Sequence, residues 1–360
     1  MKIGVLNNLY EPFKKGGAEK IAAALILEAQ AAGHDVFLIT TKPPQAPTPP
    51  PGALKIYYLD SRYYNLGAHS FLYRFGWQLN NLFSFKKSRA IRKILKREKP
   101  DLVITHNLMG LGFMTPRAIH NLKVKHEHFL HDIQLLHPSG LMFYGHEKKI
   151  TSFFAHLYQS LTRAFFASPS KIISPSRWLL DEHRQRGFFP NSVSEVRPYE
   201  KPDENIPPVA SSAQQNARTF LYAGQMVAAK GIYLLIDAFK KLNQPNAKLM
   251  LVGNGIDLER AKQLAASDQR LEFFPWNEET ETAKLSVCDY LIVPSLCYEN
   301  SPTIIAKAHA LGRKVIASRL GGIPEIVRPN DILFTPGSSQ ELLKILEKLT
   351  ERKLTGVDNS

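Results

Sequence analysis

The sequence predicts an α/β chain of two tandem doubly wound domains, and three observations support this. Short apolar runs of strand length alternate with longer segments of helical period along most of the chain. That rhythm stops at a Pro- and Ser-rich stretch and then restarts. The 360 residues are enough for two ordinary domains, each with its own core. The boundaries that follow are a first domain over 1–204, a linker over 205–217 and a second domain over 218–360.

In the first domain, Ile3 to Leu6 is a strand, and the loop NNLYEPFKKGG leads into a helix from about Ala18 to Ala32 that Gly33 ends. Asp35 to Thr40 completes an opening βαβ unit. The segment from Pro43 to Gly52 cannot pair in a sheet and is expected to be an extended loop. From Phe71 to Lys99 the pattern is helical, with aromatic residues first and eight basic residues from Lys86 onward. Two readings fit this segment. One is a surface helix followed by an amphipathic helix. The other is a monotopic membrane contact, with Phe71, Leu72, Tyr73, Phe75 and Trp77 at the acyl boundary and Lys86, Lys87, Arg89, Arg92 and Lys93 on anionic head groups. Leu102 to Thr105 is a strand ending at His106 and Asn107, and Lys123 to Leu130 is another, leading to His131 and Asp132. Alternation places His126 and His128 on one face of that strand, too few ligands for zinc. The strand at Lys171 and the segment EVRPYEKP close the domain.

The second series runs through a strand at Thr219 to Ala223, the loop GQMVAAKG, a helix over Ile232 to Leu242 and a strand at Lys248 to Val252. A strand at Leu271 to Phe274 and a helix across Glu278 to Val287 follow. Next comes the most informative stretch, Asp289 to Glu325. Tyr290 to Val293 reads as a buried strand closed by Pro294. Ser301 is the expected N-cap and Pro302 the first residue of a helix that Gly312 stops, and Val315 to Ala317 is the next strand. This unit leaves the amides of Thr303 and Ile304 free at the carboxyl edge of a parallel sheet, where an anion is favoured. Glu299 beside them can accept hydrogen bonds from hydroxyls, so a sugar phosphate would satisfy both features.

Bulk composition narrows the function classes. The formal charge is +14, and up to Glu200 there are 27 Lys plus Arg against 14 Asp plus Glu, so nearly all the excess lies in the first domain. An anionic partner such as a membrane surface or an anionic glycan fits that asymmetry. The basic cluster near Lys86 belongs to no nucleic-acid recognition module, so no nucleic-acid partner is expected. Cys288 and Cys297 are the only cysteines, which gives no disulfide framework or CxxC metal pair and fits a reducing cytoplasm. The N-terminus passes straight into a strand, and no apolar run approaches the roughly 20 residues of a spanning helix. A soluble or peripheral, cytoplasmic protein at the inner face of the membrane is expected. No GxGxxG follows either first strand, which excludes a dinucleotide oxidoreductase.

Nine short motifs, in order, carry a resemblance: GGAEK at Gly16, GHDV at Gly33, PDLVITHN at Pro100, HDIQLLHPSG at His131, SPSRW at Ser174, GQMVAAKG at Gly224, LVGNG at Leu251, PSLCYENSP at Pro294 and GGIPEIV at Gly321. Together they cover nearly the whole chain. The sequence resembles the retaining glycosyltransferases of family four, which have the GT-B fold of two Rossmann-like domains with an interdomain cleft. The resemblance implies that the second domain binds a nucleotide diphosphate sugar and the first a glycan or glycolipid acceptor. It implies catalytic roles for His131 near the reacting sugar, Lys230 on the diphosphate leaving group and Glu299 on the sugar hydroxyls. Donor contacts are implied at Gly16, Gly17, Asp132, Gln225, Gly253, Asn254, Asn300, Ser301, Pro302, Thr303 and Lys307. No Asp-x-Asp pair occurs, so a bridging metal is not expected, nor is a cofactor beyond the donor substrate.

Two positions depart from the family pattern. Gln225 stands where the family carries Arg. Lys307 stands where the family's second glutamate accepts hydrogen bonds from the ribose, and an ammonium only donates. Either the ribose is held differently, or Lys307 reaches a phosphate in place of the missing Arg, or the site has decayed. After Leu349 little sequence remains for a terminal helix crossing back to the first domain. The expected function is sugar transfer to a lipid-linked or cell-surface glycan acceptor. The alternatives are a non-catalytic relative that binds a glycan, a nucleotide or a partner subunit, and an enzyme of another reaction type on the same fold.

Overall fold

The computed structural model describes residues 1–13, 17–199 and 218–351. The predicted linker at 205–217 and Gly16 therefore lie outside the described residues. The chain divides into two units. The first holds Met1–Leu141 and Glu147–Tyr199; the second takes the rest, together with Met142–His146, a segment that the sequence reading assigns to the first domain.

Unit 1 runs β1 (Lys2–Leu6), α1 (Gly17–Ala31), β2 (Asp35–Lys42), β3 (Lys55–Asp60), α2 (Phe71–Leu82), α3 (Phe85–Glu98), β4 (Leu102–Thr105), α4 (Thr115–His120), β5 (Lys125–Phe129), α5 (Phe153–Phe166), β6 (Lys171–Ser174), α6 (Arg177–Arg184) and β7 (Val193–Val196). Its seven strands are parallel in the order β3-β2-β1-β4-β5-β6-β7. The central strands are covered on both faces, which is why β4 reads as an unbroken apolar run, LVIT, with every residue buried. Ile3, Val5, Ile26, Leu38 and Ile104 pack in one core cluster.

Unit 2 runs β8 (Thr219–Ala223), α7 (Ile232–Lys241), β9 (Lys248–Val252), α8 (Leu258–Ala265), β10 (Leu271–Phe274), α9 (Glu278–Val287), β11 (Tyr290–Val293), α10 (Thr303–Ala310), β12 (Lys314–Ser318), β13 (Ile332–Phe334) and α11 (Ser339–Thr350). Six parallel strands lie in the order β10-β9-β8-β11-β12-β13. Successive strand residues point to opposite faces. Phe220, Leu251, Ile292 and Ile316 accordingly pack on α7 and α11, whereas Leu221, Val252, Leu291, Val315 and Ala317 pack in a separate cluster with Leu285, Ile305 and Ala308. Both faces are occupied, as a doubly wound sheet requires.

Most of the expected elements appear within a residue or two. The 71–99 segment forms two helices that meet at Phe83 and Ser84, and 43–52 forms neither helix nor strand. Two expected boundaries shift. Lys123 takes a left-handed φ of 55°, a turn conformation, so the strand begins at Lys125. Ser301 is not the N-cap: Pro302, with ψ 113°, is still extended, so it occupies the cap position and α10 starts one residue later. β3, α4, α5, α6, α8, β13 and α11 are not among the elements expected from the sequence. β3 is an edge strand, KIYYLD, whose four central residues are half-buried, and α8 is a short helix after Gly255 with only Ala261 and Ala265 buried. No described helix is long and apolar enough to cross a membrane.

Candidate active site

In unit 2 the strand order reverses between β8 and β11, the switch point at which open α/β sheets bind ligands beyond the strands' carboxyl ends. The loops there are tied together through their backbones. Met226 N–H donates to the Asn254 carbonyl at 2.9 Å, and Gly224 N–H to the Val252 carbonyl at 3.0 Å. A Cβ on Gly253 would stand 2.0 Å from the Gly224 oxygen, so only glycine permits this approach. Gln225 and Asn254 are exposed on this tied pair of loops, and Tyr222 Oη donates to the Gln225 carbonyl at 2.6 Å.

The loop after β8 is bound equally closely to the loop after β11. A 3₁₀ turn over Ala228–Lys230 ends at Gly231, whose φ is 76° and whose Cβ, if present, would meet the Pro294 oxygen at 1.8 Å. The Ala229 carbonyl accepts N–H bonds from Leu296 and Cys297 at 2.9 and 3.0 Å. This clamp carries Lys230 to Glu299, and Lys230 Nζ donates to Glu299 Oε1. Ser295 Oγ donates to the same oxygen at 2.8 Å, and the Glu299 carbonyl accepts Gly322 N–H at 2.7 Å from the loop after β12. Burial alone would lower the Lys230 pKa, but the charge of Glu299, with Cys297 and the hydrogen bond, outweighs it and holds the ammonium above its usual value. Burial and the nearby Glu299 push the Cys297 thiol up to about 11. The result is a fixed cation and a carboxylate side by side, a few residues before the start of α10. Asn300 and Pro302 are half-buried and Ser301 is buried, and Thr303 opens the helix whose first amides have no partner within it.

Lys307 lies deeper in α10. Nζ lies 2.6 Å from Glu281 Oε1 on α9, and the other Glu281 oxygen accepts Trp276 Nε1–H at 2.8 Å. The ammonium is thus engaged by a buried carboxylate within unit 2. Glu281 carried no signal in the sequence, because its pair with Lys307 spans two helices that pattern reading treats separately, and Trp276 lies in the loop before α9.

In unit 1, His131 stands just after β5. Its Nε2 is 2.8 Å from His106 Nδ1 and its Nδ1 is 2.8 Å from Tyr199 Oη, with both rings stacked on the imidazole. A second chain lies beneath: the Thr105 hydroxyl is 2.8 Å from both His126 Nε2 and His128 Nδ1, so the two histidines that share a strand face share one hydroxyl. Burial drives His131 down to about 4 and His126 to about 3, and holds His106 and His128 well below the usual value. Asp132 accepts Gln134 N–H at 2.7 Å, yet burial raises its carboxyl to about 7. Gly17 is the first residue of α1. Tyr199 was missed as a partner of His131 because 68 residues separate them.

Comparison with known proteins is decisive at this point. The model described as Glycosyltransferase Family 4 matches residues 15–198, more than half of the chain. The chain belongs to this family. The model described as Glycosyl transferases group 1 matches residues 217–352. A Klebsiella pneumoniae protein described as an uncharacterized 42.6 kDa protein in the cps region is 26% identical, over 91% of this chain and 88% of its own length. The lipopolysaccharide 1,2-N-acetylglucosaminetransferase of Salmonella typhimurium is 27% identical over 48% of this chain and 50% of its own. Among solved structures, Anabaena HepE in complex with UDP superposes with a TM-score of 0.67 at 19% identity, covering 97% of this chain and 89% of that one. The protein is a glycosyltransferase of the GT-B type, related to enzymes of lipopolysaccharide and polysaccharide biosynthesis.

Proposed function

We propose that the protein moves a sugar, with retention of anomeric configuration and without a metal ion, from a nucleotide diphosphate sugar to a lipid-linked or cell-surface glycan acceptor. The observation that carries this reading is the Lys230–Glu299 pair held by three loops at the switch point of unit 2. The two groups have complementary tasks. Lys230 neutralises the charge that develops on the diphosphate as the glycosidic bond breaks, assisted by the amides at the start of α10. Glu299 accepts hydrogen bonds from the donor sugar and orients its anomeric carbon. The acceptor hydroxyl attacks on the leaving-group face, and its proton passes to the departing phosphate oxygen, so no carboxylate pair of the hydrolase kind is needed.

The second domain supplies the donor contacts of Gln225, Gly253, Asn254 and Ser301 to Thr303, and the first supplies His131, Asp132, Gly16 and Gly17. With Lys307 engaged by Glu281, the ribose finds its acceptors elsewhere, and Gln225 holds the diphosphate by hydrogen bonds alone. A uridine-based donor is the first to try, because Anabaena HepE carries UDP on the same fold. The protein works at the cytoplasmic membrane face, where the excess positive charge of its first 200 residues meets anionic lipid.

A non-catalytic relative is the second reading, and the loss of both Arg and Glu at positions 225 and 307 favours it. Slow hydrolysis of UDP, GDP and ADP sugars, with the released sugar's anomer followed by NMR, separates the two. Initial release of the donor's own anomer supports the transferase. Absence of hydrolysis with every donor, together with unimpaired nucleotide binding, supports the relative.

A further inference from the structure

Unit 1 contains a cavity of about 910 Å³ that the donor chemistry does not use. Its walls are the 3₁₀ turn Arg62–Ala68, helix α2 and the loop between Gln134 and Leu141. Only Asn81 and Leu82 of α2 are buried, although the helix is strongly amphipathic. Four of its apolar residues face outward: Phe71 and Leu72 are 76% and 79% exposed, and Phe75 and Leu79 are 56% and 44% exposed. Phe71, Phe75 and Leu79 form the lip of the cavity, and Leu141, itself half exposed, closes the other side. An apolar face left outward over a cavity is not explained by folding.

The lining is also partly polar, with Glu19, Gln78, Gln134, His137 and Ser139 beside the apolar residues. Gln134 lines the cavity, its N–H holds Asp132, and its carbonyl accepts Tyr158 Oη–H at 2.8 Å. Asp132 is thus one hydrogen bond from a lining residue and follows His131 in the chain. α3 continues from α2 with Lys86, Arg89, Arg92 and Lys93, all exposed, beside Phe85 at 62% exposure. Apolar residues at the mouth and exposed cations nearby are what an anionic lipid surface binds.

We propose that this cavity takes the hydrocarbon chain of the acceptor, an amphiphile drawn from an anionic lipid surface, with its polar head directed to Gln134 and Asp132. The inference rests on the transferase reading for the acceptor's identity and adds to it where the chain lies. A sugar stacking on Tyr63 and Tyr64 is the competing occupant.

The probe is a long-chain alkyl phosphate with a terminal diazirine, presented in phosphatidylcholine vesicles with and without phosphatidylglycerol; a butyl analogue is the control. Labelled peptides are mapped in the wild-type protein, in a Phe75→Glu/Leu79→Glu double variant and in Gly67→Phe. The first two residues are exposed, and Gly67 lines the cavity with open space where a Cβ would stand, so none of the three changes removes a core side chain, and circular dichroism checks that each variant is folded. Labelling is expected over residues 63–79 and 134–141, dependent on phosphatidylglycerol, and reduced about ten-fold or more in both variants. Nucleotide binding by the variants should be unchanged.

Labelling elsewhere, equal labelling by the butyl analogue, or unaltered labelling in the variants overturns the proposal. Equal transfer to a long-chain acceptor and its short water-soluble counterpart overturns it too, while leaving the transferase reading intact. Failure to bind any donor, with labelling of the cavity preserved, removes the transferase reading and leaves the cavity assignment standing.

Discussion

Acidification should unfold unit 1 well before unit 2. His106, His126, His128 and His183 are buried and His131 is half-buried, and burial holds all five below the usual imidazole value. For a histidine depressed in the folded state, the stabilisation is complete above the unfolded pKa and is lost as pH falls towards the folded one. His131 and His183 titrate at about 4 and His126 at about 3. Going from pH 7 to pH 4 therefore costs about 3 kcal/mol for each, or about 9 kcal/mol for these three. Asp132 runs the other way. Its carboxyl is raised to about 7, so it favours the fold below the unfolded value and weakens it as pH rises. It returns about 3 kcal/mol over the same interval. The balance of these four groups is a loss of about 6 kcal/mol, comparable with the whole stability of a domain, about 5–15 kcal/mol. His106, His128, Glu98 and Glu195 add to that loss in the same direction. Scanning calorimetry from pH 7 to pH 4, with hydrogen exchange assigning each transition to its unit, should show the unit 1 transition falling steeply and the unit 2 transition moving less. Equal movement of the two, or a flat profile for unit 1, would refute the assignment of neutral buried histidines.

Other perturbations have definite expected outcomes. Lys230→Ala should lower kcat for transfer by about 10²–10³-fold, since one preorganised charge at the leaving group is removed, and should also cost about 1–3 kcal/mol of stability, because the Glu299 carboxylate loses its cation. Gly231→Ala should cost about 2–4 kcal/mol in a denaturation series, because a left-handed φ and a 1.8 Å approach to the Pro294 oxygen both forbid a Cβ. Lys307→Glu should lose about 1–3 kcal/mol by placing a second carboxylate against Glu281, and calorimetry with nucleotide sugars should show no gain in affinity. Tyr199→Phe should cost about 1 kcal/mol and shift the His131 ring resonances in NMR, since Oη is removed from Nδ1.

The sequence exposes those parts of this molecule that depend on local chemistry. The inner strands are buried on both faces, so Tyr290–Val293 or Leu102–Thr105 could be read as apolar runs without knowledge of their neighbours. The edge strand β3 differs in burial: its central residues, Ile56 to Leu59, are only half-buried. The same division holds at the site. Lys230 and Glu299 each stand out in motif-rich loops; that they touch was not visible, because 69 residues separate them. Lys307 was conspicuous by its charge, but its partner Glu281 was invisible, since a cross-helix pair leaves no periodicity. The His131–Tyr199 contact was hidden for the same reason.

The central claim is that Lys230 and Glu299 divide a nucleotide diphosphate sugar between them, the first on the diphosphate and the second on the sugar. Calorimetric titration of wild-type protein and Glu299→Gln with a set of nucleotide sugars and their bare nucleotide diphosphates tests this most directly. The predicted result is that at least one donor binds the wild type, and that Glu299→Gln loses the added affinity of the sugar while binding the bare diphosphate as before. Absence of binding by every donor at millimolar concentration, or an equal loss for donor and bare diphosphate in the variant, would contradict it.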